Sequence, residues 1–260
     1  MSTPRLFLTN DDGIAAPGLA ALAQALNRTG RFELRVVAPE RQCSGVGHSV
    51  TIHEPLFAER CVLDGSVPAW KVDGTPADCV KLGLTSLFPD SAVDLVIAGI
   101  NSGPNVGVNV LYSGTVGAAL EACINGVPAL AVSLAIAADG EWRFALAAEA
   151  AVQAAEAVLK HGLPPWTVLN VNVPNVPRKE QRGFRLTRHG HSGFKEYYLE
   201  EPSQGARRGF RLEGAMVYRE DDPETDAVAL REGWTSVTAL GLNLLDSEAA
   251  RQVAAWKLFS

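Results

Sequence analysis

Two adjacent carboxylates, Asp11 and Asp12, stand in the segment TNDDG directly after the first apolar run of the chain. Like charges at a partly buried position repel each other, and burial is costly for both unless a cation compensates them. Carboxylate, amide and hydroxyl oxygens are ligands of hard divalent cations such as Mg²⁺, Mn²⁺ and Ca²⁺. The pair alone is equally consistent with a turn and a helix start, where Asp is favoured in any case.

Polar and small residues also follow two later apolar runs. PERQCSGVGHSVT (residues 39–51) contains Ser44, and INSGPNVGVNVLYSGTVG (residues 100–117) contains Asn101. In an open parallel sheet, ligands bind beyond the carboxyl ends of the strands, so we expect these segments to meet Asp11 and Asp12 at one edge. The candidate substrate- or phosphate-binding residues are Asn10, Gly45, Ser49, Asn105, Ser113, Gly114 and Thr115.

Two features in these segments have competing interpretations. The SGT segment (residues 113–115) opens a predicted helix, where backbone N–H groups and the helix dipole can hold an anion; simple N-capping explains it as well. His48 is either a general acid or a structural hydrogen-bonding group. His189 and His191 imitate a metal-binding pair, but no carboxylate stands beside them in sequence, so we do not assign a metal to them.

The first 175 residues alternate between strand and helix patterns, and this alternation would bring the polar segments together. The apolar runs are short and lack polar alternation, which is typical of a parallel sheet covered on both faces. The predicted strands are Leu6–Thr9, Glu33–Ala38, Asp94–Gly99, Ala129–Ser133 and Thr167–Asn172. Helices are predicted from Pro17, from a capping box at Thr75–Asp78, and over Gly114–Asn125 and Trp142–Lys160. The pattern predicts an α/β fold with a Rossmann-like, doubly wound, mostly parallel sheet.

Residues 176–260 have a different pattern, with short strands between turn residues. We predict antiparallel strands and hairpins there, at Arg185–Thr187, Lys195–Leu199, Phe210–Leu212, Ala215–Tyr218 and Ser236–Ala239. A terminal helix is predicted over 246–259, with Asp246 as its N-cap. The chain would therefore have an α/β catalytic domain at 1–175 and a C-terminal β-hairpin extension with a terminal helix at 176–260. The exposed apolar residues of the extension predict a homodimer or a larger even-numbered assembly.

Composition limits the function classes. The chain has 260 residues, 47% of them hydrophobic, which is enough for one large core. Its net charge of −6 offers no global attraction for a nucleic-acid polymer. It contains no apolar run of about 18 residues, so we expect no membrane span. The four cysteines form no C-x-x-C pair, and a reduced, cytoplasmic protein is the expectation.

Five ordered segments resemble the signature motifs of the SurE survival-protein family. They are TNDDG, APERQCSGVGHSVT, GTPADCVKLG, DLVIAGINSGPNVG and YSGTVGAALEA, and the tail ETDAVALREGWTSVTAL is also similar. The resemblance extends from about residue 5 to about residue 245. It implies a metal-dependent nucleotidase, with a Rossmann-like domain and an extension that exchanges elements between subunits of a homodimer or homotetramer.

The resemblance also implies roles for individual residues. The metal ligands fall on Asp11, Asp12, Ser44 and Asn101, and the catalytic residues on Asp11, Asp12 and Asn101. Each subunit would hold one divalent cation, Mg²⁺ or Mn²⁺, and would hydrolyse nucleoside monophosphates at the 5′ position. Activity on 3′-nucleotides or polyphosphate is also implied. Either carboxylate could activate water.

Two other classes of function remain open at this point. The first is an aspartyl-phosphate phosphatase with Asp11 as the nucleophile, although such sites usually carry D-x-D and here the carboxylates are adjacent. The second is a non-catalytic module that binds a nucleotide or a metal. Trapping of a phosphoenzyme would identify the first, and metal-dependent release of phosphate would exclude the second.

Overall fold

The structure, a computed structural model, describes residues 3–88, 92–243, 247–254 and 256. Its strands are β1 Arg5–Thr9, β2 Glu33–Pro39, β3 Ala58–Leu63, β4 Val67–Val72, β5 Leu95–Ser102, β6 Ala129–Leu134, β7 Thr167–Val173, β8 Phe184–Thr187, β9 Gly193–Gln204, β10 Arg207–Val217 and β11 Thr235–Gly241. Its α-helices are α1 Pro17–Thr29, α2 Pro76–Leu82, α3 Gly114–Ile124, α4 Phe144–His161, α5 Asp226–Arg231 and α6 Ser247–Ala254. A π-helical turn follows α2 at Gly83–Leu87, and 3₁₀ turns lie at Gly107–Tyr112 and Arg178–Glu180.

Nine strands form one sheet in the order β3-β4-β2-β1-β5-β6-β7-β11-β8, and β9 and β10 form a separate two-stranded ribbon. All neighbouring strands from β4 to β7 are parallel. The antiparallel pairs of the sheet are β3 with β4 and β11 with β7. The predicted α/β class, with its mostly parallel sheet, is confirmed, and each of the five predicted strands of the first 175 residues is present.

The helices cover both faces of the sheet. Successive side chains of a strand point to opposite faces, so Leu6 and Leu8 of β1 pack into one buried cluster and Phe7 into the other. Leu22 of α1 joins α4 residues in the first cluster, and Val116 of α3 joins α2 residues in the second. This three-layer arrangement explains why the central strands are predominantly apolar.

The polar segments meet where the chain reverses direction across the sheet. From β1 the chain continues to β2 on one side, whereas β5 pairs with the other side of β1. Such a switch point opens a crevice at the carboxyl ends of the strands. Within β5, Gly99 has a φ of +141°, and a Cβ there would lie 2.3 Å from the carbonyl oxygen of Val132. Only glycine therefore allows β5 to lie this close to β6.

The structure corrects part of the prediction for residues 176–260. Arg185–Thr187, predicted to be antiparallel, lies in β8 and pairs in parallel with β11. Both strands belong to the main sheet, so the sheet continues across the predicted boundary at residue 175. The other three predicted strands belong to two long strands, β9 and β10, which form the one hairpin of the described region that stands outside the sheet.

Two elements were not predicted from the sequence, and a third lies partly outside the described residues. The β3–β4 hairpin carries charged residues such as Glu59 and Lys71, so it lacks the uniform apolar pattern of the central strands. The short helix α5 was also not predicted. The predicted terminal helix is present as Ser247–Ala254, whereas its predicted N-cap Asp246 and residues 255 and 257–259 lie outside the described residues. Across the described residues, no helix is long and apolar enough to span a bilayer.

Candidate functional site

A tight turn after β1 presents the two carboxylates. The side chain of Asn10 donates from Nδ2 to the carbonyl of Gly13 at 2.9 Å, and its Oδ1 accepts from the N–H of Gly13 at 3.2 Å. Asn10 is fully buried, so both polar groups of its amide serve to close the turn that carries Asp11 and Asp12. Its predicted contact with phosphate stays a prediction.

Asp11 is almost completely buried, with 5% of its surface exposed. Its Oδ1 accepts a hydrogen bond of 2.5 Å from the hydroxyl of Thr115, and its backbone carbonyl accepts from the N–H of Cys43 at 2.7 Å. Burial raises the pKa of Asp11 from 3.8 to about 6; the Thr115 hydroxyl opposes this increase, and the charge of Asp12 adds to it. Without a cation, the ionised carboxylate is thus a destabilising group in the folded protein.

Asp12 is more exposed and connects the loop after β2 to the end of β5. Its Oδ2 accepts from the backbone N–H of Ser102 at 2.9 Å. Its Oδ1 lies 3.4 Å from Nε2 of Gln42, which also donates to the hydroxyl of Ser44 at 2.9 Å. Gln42 therefore bridges two predicted metal ligands. Sequence reasoning missed it because an exposed glutamine in a polar loop carries no signal of its own.

Asn101 lies at the end of β5, one residue before Ser102. Its Nδ2 donates to the carbonyl of Gly103 at 2.8 Å, and no other described residue hydrogen-bonds with its Oδ1. The structure thus places the four predicted ligands on three adjoining segments, and hydrogen bonds connect Asp12 to the segments of Ser44 and Asn101.

The donor set fits a hard divalent cation. It consists of two carboxylates, one hydroxyl and one amide oxygen, which are the ligand types of Mg²⁺ and Mn²⁺. A cation there would also compensate the buried charge of Asp11. Among the described residues there is no group of three or more His, Cys, Asp or Glu placed to hold a metal ion, so the neutral oxygens of Ser44 and Asn101 would be needed.

The first turn of α3 lies against Asp11. Ser113 is the N-cap, and its hydroxyl accepts from the N–H of Val116 at 3.1 Å, so the capping role is confirmed. A Cβ on Gly114 would come within 2.9 Å of Cβ of Asp11. Unpaired N–H groups and the helix dipole favour an anion at such a terminus. The predicted phosphate contacts of residues 113–115 are compatible with this placement and stay predictions.

Of the remaining predicted binding residues, Ser49 and Asn105 have partners within the chain. The carbonyl of Ser49 accepts from the Thr75 hydroxyl at 2.7 Å, and Gly45 has a φ of +74° in the same loop. Asn105 is buried; its N–H donates to Oδ1 of Asn172 at 2.8 Å, and its Nδ2 donates to the Ser133 hydroxyl at 2.8 Å. Asn105 therefore attaches its loop to β6 and β7. Contacts of these residues with a substrate stay predictions.

The three histidines considered above bind different partners. Nε2 of His48 hydrogen-bonds with the carboxylate of Glu121 at 3.0 Å, which corresponds to the structural interpretation of His48. His189 hydrogen-bonds with the carbonyl of Gly107 at 2.8 Å. Nδ1 of His191 lies 3.1 Å from Oε1 of Glu220.

Comparison with known proteins gives consistent matches. The profile of the family described as "Survival protein SurE" matches residues 6–196. A protein of Carboxydothermus hydrogenoformans named 5′-nucleotidase SurE is 42% identical over 253 residues, covering 97% of this chain and 96% of that protein. Its namesake in Moorella thermoacetica is 43% identical over 255 residues, covering 98% and 96%. The crystal structure of the SurE protein from Aquifex aeolicus is similar with a TM-score of 0.80 at 36% identity, covering 96% of this chain and 98% of that one.

Proposed function

The chain belongs to the SurE family, and from that premise we propose that it is a metal-dependent nucleotidase that hydrolyses nucleoside monophosphates to nucleoside and phosphate. The observation that carries this proposal is the position of Asp11 and Asp12. They lie at the switch point of the sheet, between the first turn of α3 and the loops of Ser44 and Asn101. Relatives named 5′-nucleotidase support the substrate class.

The reaction requires that the charge of a phosphate monoester be neutralised before water can attack it. Asp11, Asp12, Ser44 and Asn101 would hold one Mg²⁺ or Mn²⁺ per subunit, which when bound polarises the phosphate as a Lewis acid. The N–H groups at the start of α3 would bind phosphate oxygens. The carboxylates would orient the attacking water and accept its proton.

We also propose a homodimer or homotetramer held through residues 176–260. The ribbon of β9 and β10 exposes large apolar side chains, among them Tyr197 at 57%, Tyr198 at 68% and Phe210 at 53% exposure. A monomer has no other element to cover them in the described region. Light scattering at micromolar concentration tests this assembly, and a species of 27.6 kDa would contradict it.

All four cysteines are free, which supports a reducing compartment such as the cytoplasm.

The experiment that tests the function is a panel of phosphate esters assayed with EDTA, Mg²⁺ or Mn²⁺. It includes 5′- and 3′-nucleoside monophosphates and polyphosphate. We expect no phosphate release in EDTA and recovery on addition of either metal. Asp12→Asn should lose most turnover, whereas the matched control Asp64→Asn should not, because Asp64 lies in an exposed turn with a φ of 50° that Asn also adopts.

Two outcomes would contradict the proposal. Full activity after exhaustive chelation, with the absence of metal verified by mass spectrometry, would exclude metal dependence. A phosphoenzyme trapped by rapid acid quench would instead identify Asp11 as a nucleophile. Its burial and its hydrogen bond to Thr115 argue against that role.

A further inference from the structure

Glu121 of α3 is a buried carboxylate outside the candidate metal site. Its side chain is 4% exposed and accepts hydrogen bonds from three parts of the chain. Nε2 of His48 lies 3.0 Å from Oε2, Nζ of Lys81 lies 2.6 Å from Oε1, and Nδ2 of Asn125 lies 2.8 Å from Oε1. The carboxylate therefore joins the loop after β2, helix α2 and the end of α3.

The three partners keep Glu121 charged. Burial opposes its ionisation, but the hydrogen bonds from Lys81, His48 and Asn125 outweigh burial and lower the pKa of its carboxyl group below its ordinary value. A buried charge that loses a partner strongly destabilises the folded protein. The carboxylate of Glu121 therefore keeps its three partners in place. Of the three partners, His48 belongs to the polar loop that carries a predicted metal ligand.

That loop lies directly on α3. A Cβ on Gly117 would come within 2.6 Å of the carbonyl oxygen of Gly47, so the two backbones touch and only glycine fits. His48 follows Gly47, and Glu121 follows Gly117 by one helical turn, on the same face of the helix. The hydrogen bond between His48 and Glu121 thus holds the loop at a point four residues after Ser44.

Helix α3 consequently has two attachments to the site. Its first turn holds Asp11 through the hydroxyl of Thr115, and its middle holds the loop of Ser44. We propose that Glu121 is a positioning residue, which acts through His48 to keep Ser44 beside the two carboxylates. This inference rests on the proposed metal-dependent function.

The test measures Mn²⁺ binding to metal-free protein by calorimetry, beside kcat/KM for a nucleoside monophosphate. Glu121→Gln and His48→Ala should each weaken Mn²⁺ binding about 10-fold, a typical effect of removing a group that orients a ligand. The double variant should bind no more weakly than either single variant, because both remove the same connection. His48→Gln retains an N–H donor toward Glu121 and should restore most of the affinity.

Lys81→Met is the matched control. It removes the partner of Glu121 that belongs to α2 and not to the loop of Ser44, so it should lower stability and leave Mn²⁺ affinity unchanged. If Glu121→Gln does not fold, His48→Ala and His48→Gln carry the test. Additive losses in the double variant, or reduced kcat in His48→Ala with unchanged Mn²⁺ affinity, would overturn the positioning role.

The wild-type protein separates this inference from the proposed function. Wild-type protein that binds no Mn²⁺ would overturn the proposed function, and the positioning role with it. Wild-type protein that binds Mn²⁺ and hydrolyses nucleotides, while both His48→Ala and Glu121→Gln bind Mn²⁺ equally well, would overturn the positioning role alone.

Discussion

Replacing Asp11 by Asn should stabilise the metal-free protein, although it removes a predicted metal ligand. The pKa of Asp11 rises from 3.8 to about 6 on folding. The folded state therefore binds the Asp11 proton more tightly than the unfolded state does. As the pH rises from about 4 through 6, the free energy of unfolding of wild type falls relative to that of a variant with a neutral side chain. Asn carries no charge, and its Oδ1 can still accept from the hydroxyl of Thr115, so the variant avoids this loss.

The magnitude follows from the two pKa values. The full difference corresponds to about 3 kcal/mol, which is reached above about pH 7. At pH 5 the same relation gives about 1.5 kcal/mol. In EDTA, Asp11→Asn should thus exceed wild type in free energy of unfolding by these amounts. Mn²⁺ should close most of this gap, since ligand at 100 times its Kd stabilises wild type by about 2.7 kcal/mol and the variant by less.

Urea unfolding followed by tryptophan fluorescence provides the assay, since the chain has five tryptophans. Wild type, Asp11→Asn and the control Asp64→Asn are compared at one protein concentration, at pH 5 and pH 7.5, with EDTA or Mn²⁺. Equal stability of wild type and Asp11→Asn at pH 7.5 in EDTA would refute the reasoning. So would a stability difference that does not change with pH.

Three further predictions concern other contacts of the site. Asn101→Ala should weaken Mn²⁺ binding and lower turnover together. Asn101→Asp should hold or raise the metal affinity but lower turnover, because a third negative charge repels the substrate. Calorimetry measures the affinity, and steady-state rates measure the turnover. Thr115→Val should weaken Mn²⁺ binding, since it removes the hydrogen bond that favours the charged form of Asp11; unchanged affinity would show that the hydroxyl is dispensable. Asp78→Ala should cost about 2 kcal/mol of stability in urea, because it removes the capping box of α2 and the contacts to Thr51; unchanged stability would contradict this.

The segments that carry the predicted metal ligands could be located from the sequence because each lies at or shortly after the end of an apolar strand. Strand ends are recognisable from composition, and the parallel sheet brings them to one edge whatever its detailed packing. Among the polar residues gathered there, the resemblance to the SurE family then selects Asp11, Asp12, Ser44 and Asn101 as the predicted ligands. For Asn10 and Asn105 the same rule predicts only the location. It does not show whether a buried side-chain amide hydrogen-bonds with a substrate or with other residues. Here the amides of Asn10 and Asn105 hydrogen-bond with Gly13 and Ser133.

The residues that hold the ligands in place could not be predicted in this way. His48 and Glu121 are 73 positions apart, and Asp11 and Thr115 are 104 apart. Their contacts depend on how α3 packs on the sheet, which no local pattern encodes. Gln42 is close to Ser44 in sequence, but an exposed glutamine in a polar loop is ordinary, and only its geometry reveals that it bridges two ligands.

Asp226 shows that the C-terminal part of the chain supports the site. In sequence it is an acidic residue in the first turn of a short helix, where Asp is common. In the structure it is completely buried, and its carboxylate accepts from the N–H groups of Gly107 at 2.9 Å, Gly190 at 3.2 Å and Ala227 at 2.8 Å. Gly107 begins the 3₁₀ turn that leads into α3, and Gly190 precedes the ribbon of β9 and β10. One buried carboxylate thus fixes the approach to α3 and the base of the ribbon together, so the segment after residue 175 is part of the framework that positions Asp11.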